Sequence, residues 1–376
     1  MPKNSLELAQ RLIEFPSDIV HETEERCAAF LSAYLRDAGL TVDEYEFAPG
    51  RTSFVAVARG SRRSRLPLGF TGHLDVVPIG TTPWTTDPFG AEVRDGKLYG
   101  RGSCDMKSGV AAFSFAVADL CQKGELLEDV VLIVTAGEET GLFGAYDLAK
   151  RGALPHLGGL VVAEPTGNEI LIGHKGCLRV AVTVKGTAAH TSMPHLGVNA
   201  IEKAMEAITR VLDLRKSPHR SELLGESTIT VSMINAGTMI NIVPDRAEFS
   251  LCARTVPAET NAQLLDRIRE CLDEQAELEV IVDMASIETA AHDSFVTMAS
   301  RILFETFGRE IVLTGAPYGT DAAALAPGAG SPPTIILGPG APAQAHQTDE
   351  YCEVQQIHDA EAVYRKLVNQ YARLET

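Results

Sequence analysis

The sequence predicts an α/β protein with a mostly parallel sheet flanked by helices, interrupted by a smaller α+β domain. Three observations carry that expectation. Short apolar runs alternate with amphipathic ones over residues 1–176 and again over 290–376, the pattern of parallel strands joined by helical crossovers. Residues 177–289 instead run strand, helix, strand, strand, helix, strand, the order of a ferredoxin-like split βαβ unit. The chain's 376 residues also exceed what one core usually organises.

In order along the chain, Ser5–Phe15 and Glu22–Ala38 place apolar residues at helical spacing, and Gly39 stands where a C-cap glycine belongs. Thr41–Phe47 and Ser53–Ala58 alternate as strands do. Leu66–Thr71 reads as a buried strand running into Gly72-His73-Leu74-Asp75. Ala91–Tyr99 reads as a strand that leads through Gly100-Arg-Gly-Ser-Cys-Asp-Met-Lys107 into a helix over Gly109–Lys123. Asp129–Ala136, with its unbroken apolar run Val130–Val134, reads as a central strand. It stops at Gly137-Glu-Glu-Thr-Gly141, and a helix to about Lys150 follows. Gly159–Ala163 is a short strand ending at Glu164-Pro165. In the inserted domain Leu178–Lys185, Thr228–Asn235, Arg246–Arg254 and Leu278–Asp283 read as strands, and Val198–Arg215 and Asn261–Glu274 as helices. Phe295–Phe307, Pro333–Leu337 and Val354–Arg373 close the chain as helix, strand and helix.

Composition narrows the partners. A net charge of −17 argues against nucleic acid and anionic membranes. The seven cysteines are scattered without a C-x-x-C pair, which predicts reduced thiols. Met1–Phe15 lacks an apolar signal core, and no apolar run is long enough to span a bilayer. The expectation is a soluble, cytoplasmic protein.

Chemistry-bearing residues recur at the predicted strand ends: His73 with Asp75, Asp105, the pair Glu138 and Glu139, and Glu164. His346 lies in a Gly/Pro-rich loop after the strand Pro333–Leu337. Each residue alone has a plainer reading, since a turn Asp commonly caps a helix and acidic pairs favour helix N-termini. Together they gain weight, because the C-termini of parallel strands open onto one edge. One imidazole and two or three carboxylates per ion is a ligand set for Zn²⁺ or its borderline relatives. A bridging carboxylate such as Asp105 can serve two ions at once. The Asp75 carboxylate is placed to accept the second N–H of His73. Side chains of adjacent Glu138 and Glu139 diverge, so one can hold metal while the other serves a water as general base. Other chemistries lack their motifs: there is no dinucleotide glycine triplet, no Walker lysine and no Gly-x-Ser-x-Gly elbow.

The segments Gly72–Pro78, Gly100–Lys107, Gly137–Gly141, Glu164–Thr166 and Ala345–Gln347 resemble the dinuclear-zinc aminoacylase and carboxypeptidase family over essentially the whole chain. That family includes acetylornithine deacetylase, succinyl-diaminopimelate desuccinylase and glutamate carboxypeptidase. The resemblance implies a metallopeptidase-type catalytic domain and two divalent ions, probed as zinc, cobalt or manganese. His73 and Glu164 would hold one ion, Glu139 and His346 the other, with Asp105 between them. Glu138 would be the general base and Asp75 the partner of His73. It further implies a cis peptide after Asp105. The insert would be a dimerisation lid, giving a homodimer in which His190 reaches the partner's site. Asn241, Arg254, Gly319 and Thr320 would contact substrate, and Gly319-Thr320-Asp321 would line its pocket. The expected reaction is deacylation of a small N-acyl amino acid. Gly173-His-Lys-Gly176 and Gly338–Tyr351 are similar to acetylornithine deacetylase, where the desuccinylase carries an arginine pair that clamps a second carboxylate. A dipeptidase or carboxypeptidase, the desuccinylase itself, and a catalytically silent binding homologue are the alternatives.

Overall fold

The computed structural model describes residues 2–374. Its described residues divide into two compact units, one of 2–173, 289–314 and 320–374, the other of 174–288 and 315–319. The expected boundaries at 176/177 and 289/290 thus shift by a few residues, and the short stretch 315–319 goes with the insert.

The first unit is built on a sheet whose centre is parallel and whose flanks are not. Leu68–His73 pairs in parallel with Val130–Thr135 on one side and Gly159–Val162 on the other, and Thr334–Ile336 continues the parallel run. Arg51–Ala58 and then Thr41–Ala48 are added antiparallel at one flank. Leu171–His174 is added antiparallel beyond Thr334–Ile336. The sheet is therefore mixed, and "mostly parallel" holds only for its middle. The central strands are buried along their length, as strands covered on both faces must be.

One predicted strand is not in this sheet. Ala91–Tyr99 contains Asp95-Gly96, and both residues have positive φ, 51° and 74°. That is the backbone a tight hairpin turn demands. The segment folds back as Val93–Arg94 against Lys97–Tyr99, and Tyr351–Glu353 joins as a third antiparallel strand. Asp105 therefore follows a small hairpin, not a strand of the main sheet.

The helix after it, Lys107–Gln122, is buried nearly all round. It lies against Ser5–Ile13, Val354–Tyr371 and the strand Leu68–His73. Phe113 stacks on Phe70 at 6.0 Å, Tyr364 meets Phe70 edge-on at 5.3 Å, and the Tyr364 hydroxyl donates to the Leu337 carbonyl at 2.6 Å. Such aromatic pairs add about 0.5–1.5 kcal/mol each beyond their burial. At Gly109 an added Cβ would sit 2.2 Å from the Ala163 carbonyl oxygen. The missing side chain lets the helix start approach the strand end that carries Glu164.

The second unit is an antiparallel sheet in the order Thr228–Ala236, Arg246–Arg254, Cys177–Lys185, Glu277–Met284, with helices Ala200–Asp213 and Asn261–Glu270. Its chain order is the predicted β-α-β-β-α-β. Val180, Val182, Phe249, Leu251, Ala204, Val211, Leu264 and Ile268 fill one core. A capping box, Thr260 with Gln263, opens the second helix. The edge strand Thr228–Ala236 and the turn after it leave Met233, Ile234, Met239 and Ile240 exposed, Ile240 by 99%. No helix among the described residues is long and apolar enough to cross a membrane.

Candidate active site

His73 is the last residue of its strand and is 1% exposed. Its Nε2 lies 3.2 Å from Asp105 Oδ1 and 3.7 Å from Glu164 Oε1. Asp105 Oδ2 lies 3.4 Å from His346 Nε2, which is 2.9 Å from Glu139 Oε1. One oxygen of Asp105 thus faces His73, which Glu164 also approaches, and the other faces His346, which Glu139 also approaches. Single ligand atoms of His73, Asp105 and Glu139 all fall within 4.8 Å of one another. The Asp105–Met106 peptide is cis.

The charges are crowded enough to disturb one another. Burial alone would depress the His73 pKa, but the Asp105 hydrogen bond and the Glu164, Asp75 and Glu138 charges push it well up. His346, hydrogen-bonded to Asp105 and Glu139, is pushed up to about 10. Burial works to raise Asp105, yet its bonds to His346 and His73 hold its carboxyl below the usual range. Burial drives Glu138 well above its ordinary value; His73 opposes this, while Glu164, Asp321 and Glu139 add to it. Glu164 is likewise raised well up by burial, then by Asp105. Acids and imidazoles displaced this far in one cluster mark a functional site.

Neighbouring groups hold the ligands still. His73 Nδ1 donates to the backbone carbonyl of Asp75 at 2.9 Å, which leaves Nε2 facing the cluster. The sequence reading assigns that contact to the Asp75 carboxylate; its Oδ1 is 3.7 Å away and is used elsewhere. The two Asp75 oxygens accept the backbone N–H groups of Glu138, at 3.1 Å, and Glu139, at 3.0 Å. With only one residue between His73 and Asp75, the carbonyl reaches the ring more directly than the side chain does. Gly137, at φ 77°, makes the turn before Glu138, and its N–H donates to Glu24 at 3.1 Å. Buried Glu24 is in turn held by Arg51 at 2.6 and 2.7 Å.

Sequence reasoning missed Glu24, Arg101 and Glu350, and it read Asp321 only as part of the loop lining the substrate pocket. Asp321 is buried, accepts the Thr135 hydroxyl, and is raised to about 6 by burial, against the pull of Thr135 and His73. Its Asp identity directly after Thr320 was the available signal. Thr320 belongs to the same unit; its Oγ1 accepts the Ala322 N–H at 3.3 Å, at the start of the unpredicted helix Ala322–Gly328.

The other proposed site residues lie in the second unit. His190 pairs with Ile242 across a two-residue ladder, and the Thr191 N–H donates to the Asn241 carbonyl at 3.2 Å, so His190 and Asn241 are neighbours. His190 is exposed. Its Nδ1 accepts from the Ser192 backbone N–H at 3.1 Å and lies 2.7 Å from the Ser192 hydroxyl, which puts the ring proton on Nε2. Arg254 ends its strand opposite Thr228. Gly319 sits against Met284, where a Cβ would lie 1.9 Å from Sδ.

Residues 69–370 match the sequence profile of peptidase family M20/M25/M40. The chain belongs to this family. It is a metal-dependent hydrolase of amide bonds, as the family and its named relatives are. A succinyl-diaminopimelate desuccinylase of Gluconacetobacter diazotrophicus is 36% identical over 279 residues, 70% of this chain and 71% of that protein. A probable succinyl-diaminopimelate desuccinylase of Staphylococcus aureus is 31% identical over 383 residues, 91% of this chain and 92% of that one. Among solved structures, an M20-family metallo-carboxypeptidase from Sulfolobus solfataricus superposes with a TM-score of 0.80 at 19% identity, covering all of both chains. A dinuclear metal-binding M20 peptidase from Bacillus subtilis gives 0.72 at 18%, covering 99% of this chain and 98% of that one. These two establish a shared fold.

Proposed function

We propose that this M20 hydrolase removes the acyl group from a small N-acyl amino acid at a centre of two divalent metal ions. The observation that carries the reading is Asp105, whose two oxygens face two different histidines, each with its own glutamate beside it. His73 and Glu164 are assigned to one ion, His346 and Glu139 to the other, and Asp105 to both. Imidazole nitrogen with carboxylate oxygens suits Zn²⁺, with Co²⁺ and Mn²⁺ as further candidates. Buried Glu164 and Asp321 and half-buried Glu138 fit the same view, because carboxylates this crowded and desolvated ionise readily only beside a compensating cation. Bound there, the metal pair supplies Lewis acidity to the scissile carbonyl and makes water more acidic.

Glu138 is assigned the proton. Its backbone is pinned by Asp75, and burial raises its pKa, which suits a carboxylate that takes a proton from the attacking water. It then passes that proton to the leaving amine nitrogen. Arg254 is assigned to the α-carboxylate, and Asn241, Gly319 and Thr320 to the rest of the substrate. The exposed apolar edge around Met233, Ile234 and Ile240 supports a homodimer. In that dimer the Nε2–H of His190 is assigned to the oxyanion in the partner's site.

The acyl group is read as small, N-acetyl first. His174 is fully buried, and burial, then Arg254, bring its pKa down to about 4, so it carries no charge for a second carboxylate. The Lys175 ammonium is engaged by the Glu226 carbonyl at 2.6 Å. The names of the relatives favour a second reading, desuccinylation of N-succinyl-diaminopimelate. A hydrolysis screen of N-acetyl, N-succinyl and dipeptide substrates with each metal separates them. A kcat/KM for the succinyl compound about tenfold above every N-acetyl amino acid would select the second reading. In either case Glu138→Ala should lower turnover by about 10²–10⁴-fold with metal still bound. Near-wild-type turnover would overturn the division of labour between Glu138 and Glu139.

A further inference from the structure

We propose that Arg101 and Glu350 form a clamp that fixes the Asp105 turn against the His346 loop, with Glu350 as the positioning residue for both. The proposal rests on the metal-centre reading above. Glu350 lies four residues after His346 and is 1% exposed. Its Oε1 accepts the backbone N–H groups of Cys104, at 2.8 Å, and of Asp105 itself, at 3.0 Å. Its Oε2 accepts from Arg101 Nη1 at 2.6 Å, and its carbonyl accepts the Gly100 N–H at 3.0 Å. One side chain thus bonds the backbone of the bridging carboxylate residue across 245 positions of sequence. With three donors on its two oxygens, the Glu350 carboxylate is committed to this task and is not itself a metal ligand.

Buried Arg101 supplies the other jaw. Nη1 also donates to the Gln347 carbonyl at 3.1 Å, and Nη2 to the Pro78 carbonyl at 3.3 Å. Its guanidinium stands 5.1 Å from the ring of Trp84. Gln347 directly follows His346, and Pro78 closes the segment that begins with His73. The clamp therefore holds Asp105 itself and the residue after His346, and touches the segment that His73 leads into.

The backbone of the His346 loop gives the clamp its purpose. His346 has φ 66° and Asp349 φ 57°, both in the left-handed region. Residues with a side chain stay there only where the surroundings over-determine them. Here one fixing contact falls directly after His346, at the Gln347 carbonyl, and the others directly after Asp349, at the Glu350 carboxylate. A ligand loop held this way meets the metal in a preset geometry, the role that hydrogen-bonding partners of ligands usually play.

The test is Zn²⁺ binding by the full chain, measured as equivalents and Kd in a buffered competition titration, beside melting of the metal-free protein. Glu350→Ala should weaken Zn²⁺ binding by about 10–100-fold. Glu350→Gln keeps an acceptor for the two backbone N–H groups but loses the charged tether to Arg101, so its loss should be smaller. The pair R101M and E350M replaces the ion pair with apolar side chains of similar size, which protects the fold. It leaves the Cys104 and Asp105 N–H groups without an acceptor and should bind Zn²⁺ as weakly as Glu350→Ala. Variants that melt lower when metal-free yet keep wild-type Zn²⁺ affinity would overturn the proposal, since a purely structural ion pair gives that result. Wild-type protein that binds no metal would overturn the metal-centre reading instead.

Discussion

In the first unit, Glu164 and Asp321 are buried and Asp105 and Glu138 half-buried around His73, and each is fixed by backbone or side-chain hydrogen bonds or by neighbouring charge. In the second unit His190 is exposed and its ring bonds only locally, to Ser192 two residues on. The same unit exposes an apolar strand edge, where the first buries its central strands. The contrast separates two kinds of site-building. The residues assigned to the metals are held by their own unit before anything binds, with His73 and Glu164 buried and His346 exposed. His190, assigned to the developing oxyanion, is presented on a surface, and in the proposed dimer it would act only on assembly.

The sharpest way to break that contrast is subunit mixing. His190→Ala should lower kcat by about 10²–10³-fold, the usual cost of one oxyanion donor. Mixed with inactive Glu138→Ala subunits, it should recover activity, because each heterodimer would regain one intact set of residues. No recovery despite demonstrated subunit exchange would remove His190 from the partner's site.

A smaller effect sharpens the other side. His346 is held to about pH 10 by Asp105 first and then Glu139, well above the unfolded value. A raised imidazole pKa gives stability that is complete below about pH 6.5 and lost as pH climbs through the folded value. Metal-free protein should therefore melt progressively lower from about pH 6.5 to 10, and His346→Gln should flatten that slope. The same proton must leave before His346 can ligate, so Zn²⁺ affinity should rise by up to about tenfold per pH unit in this window, with proton release on binding. Calorimetry in buffers of different ionisation enthalpy reads the proton directly. Affinity that is flat with pH would mean His346 does not bind the metal.

How much of this was legible depended on the physics of each residue. His73, Glu139, Glu164 and His346 could be grouped from sequence because apolar runs marked the strands before them, and parallel strands share an edge. Asp105 was placed for a partly wrong reason: Ala91–Tyr99 alternates like a strand, but Asp95-Gly96 turns it into a hairpin. Asp75 was found, with its carboxylate given the wrong partner. Glu24 and Glu350 left no local trace, and Asp321 left only its place beside Thr320. They act through backbone N–H groups or a hydroxyl more than a hundred residues away, and no periodicity records such a bond. The helix Ala322–Gly328 was hidden by its shortness and by Pro327. In the insert, alternation and amphipathicity were enough, because an ordinary apolar core fixes that unit.

The central claim is that Asp105 joins two metal positions, and a Zn²⁺ titration of the metal-free chain tests it most directly. Bound equivalents and hydrolysis of an N-acyl amino acid should be followed together, on the wild type and on Asp105→Ala. The account predicts two equivalents per wild-type chain, and for Asp105→Ala weakened binding of both ions with activity lost. Saturation of the wild type at a single equivalent, or loss of only one ion in Asp105→Ala, would contradict it.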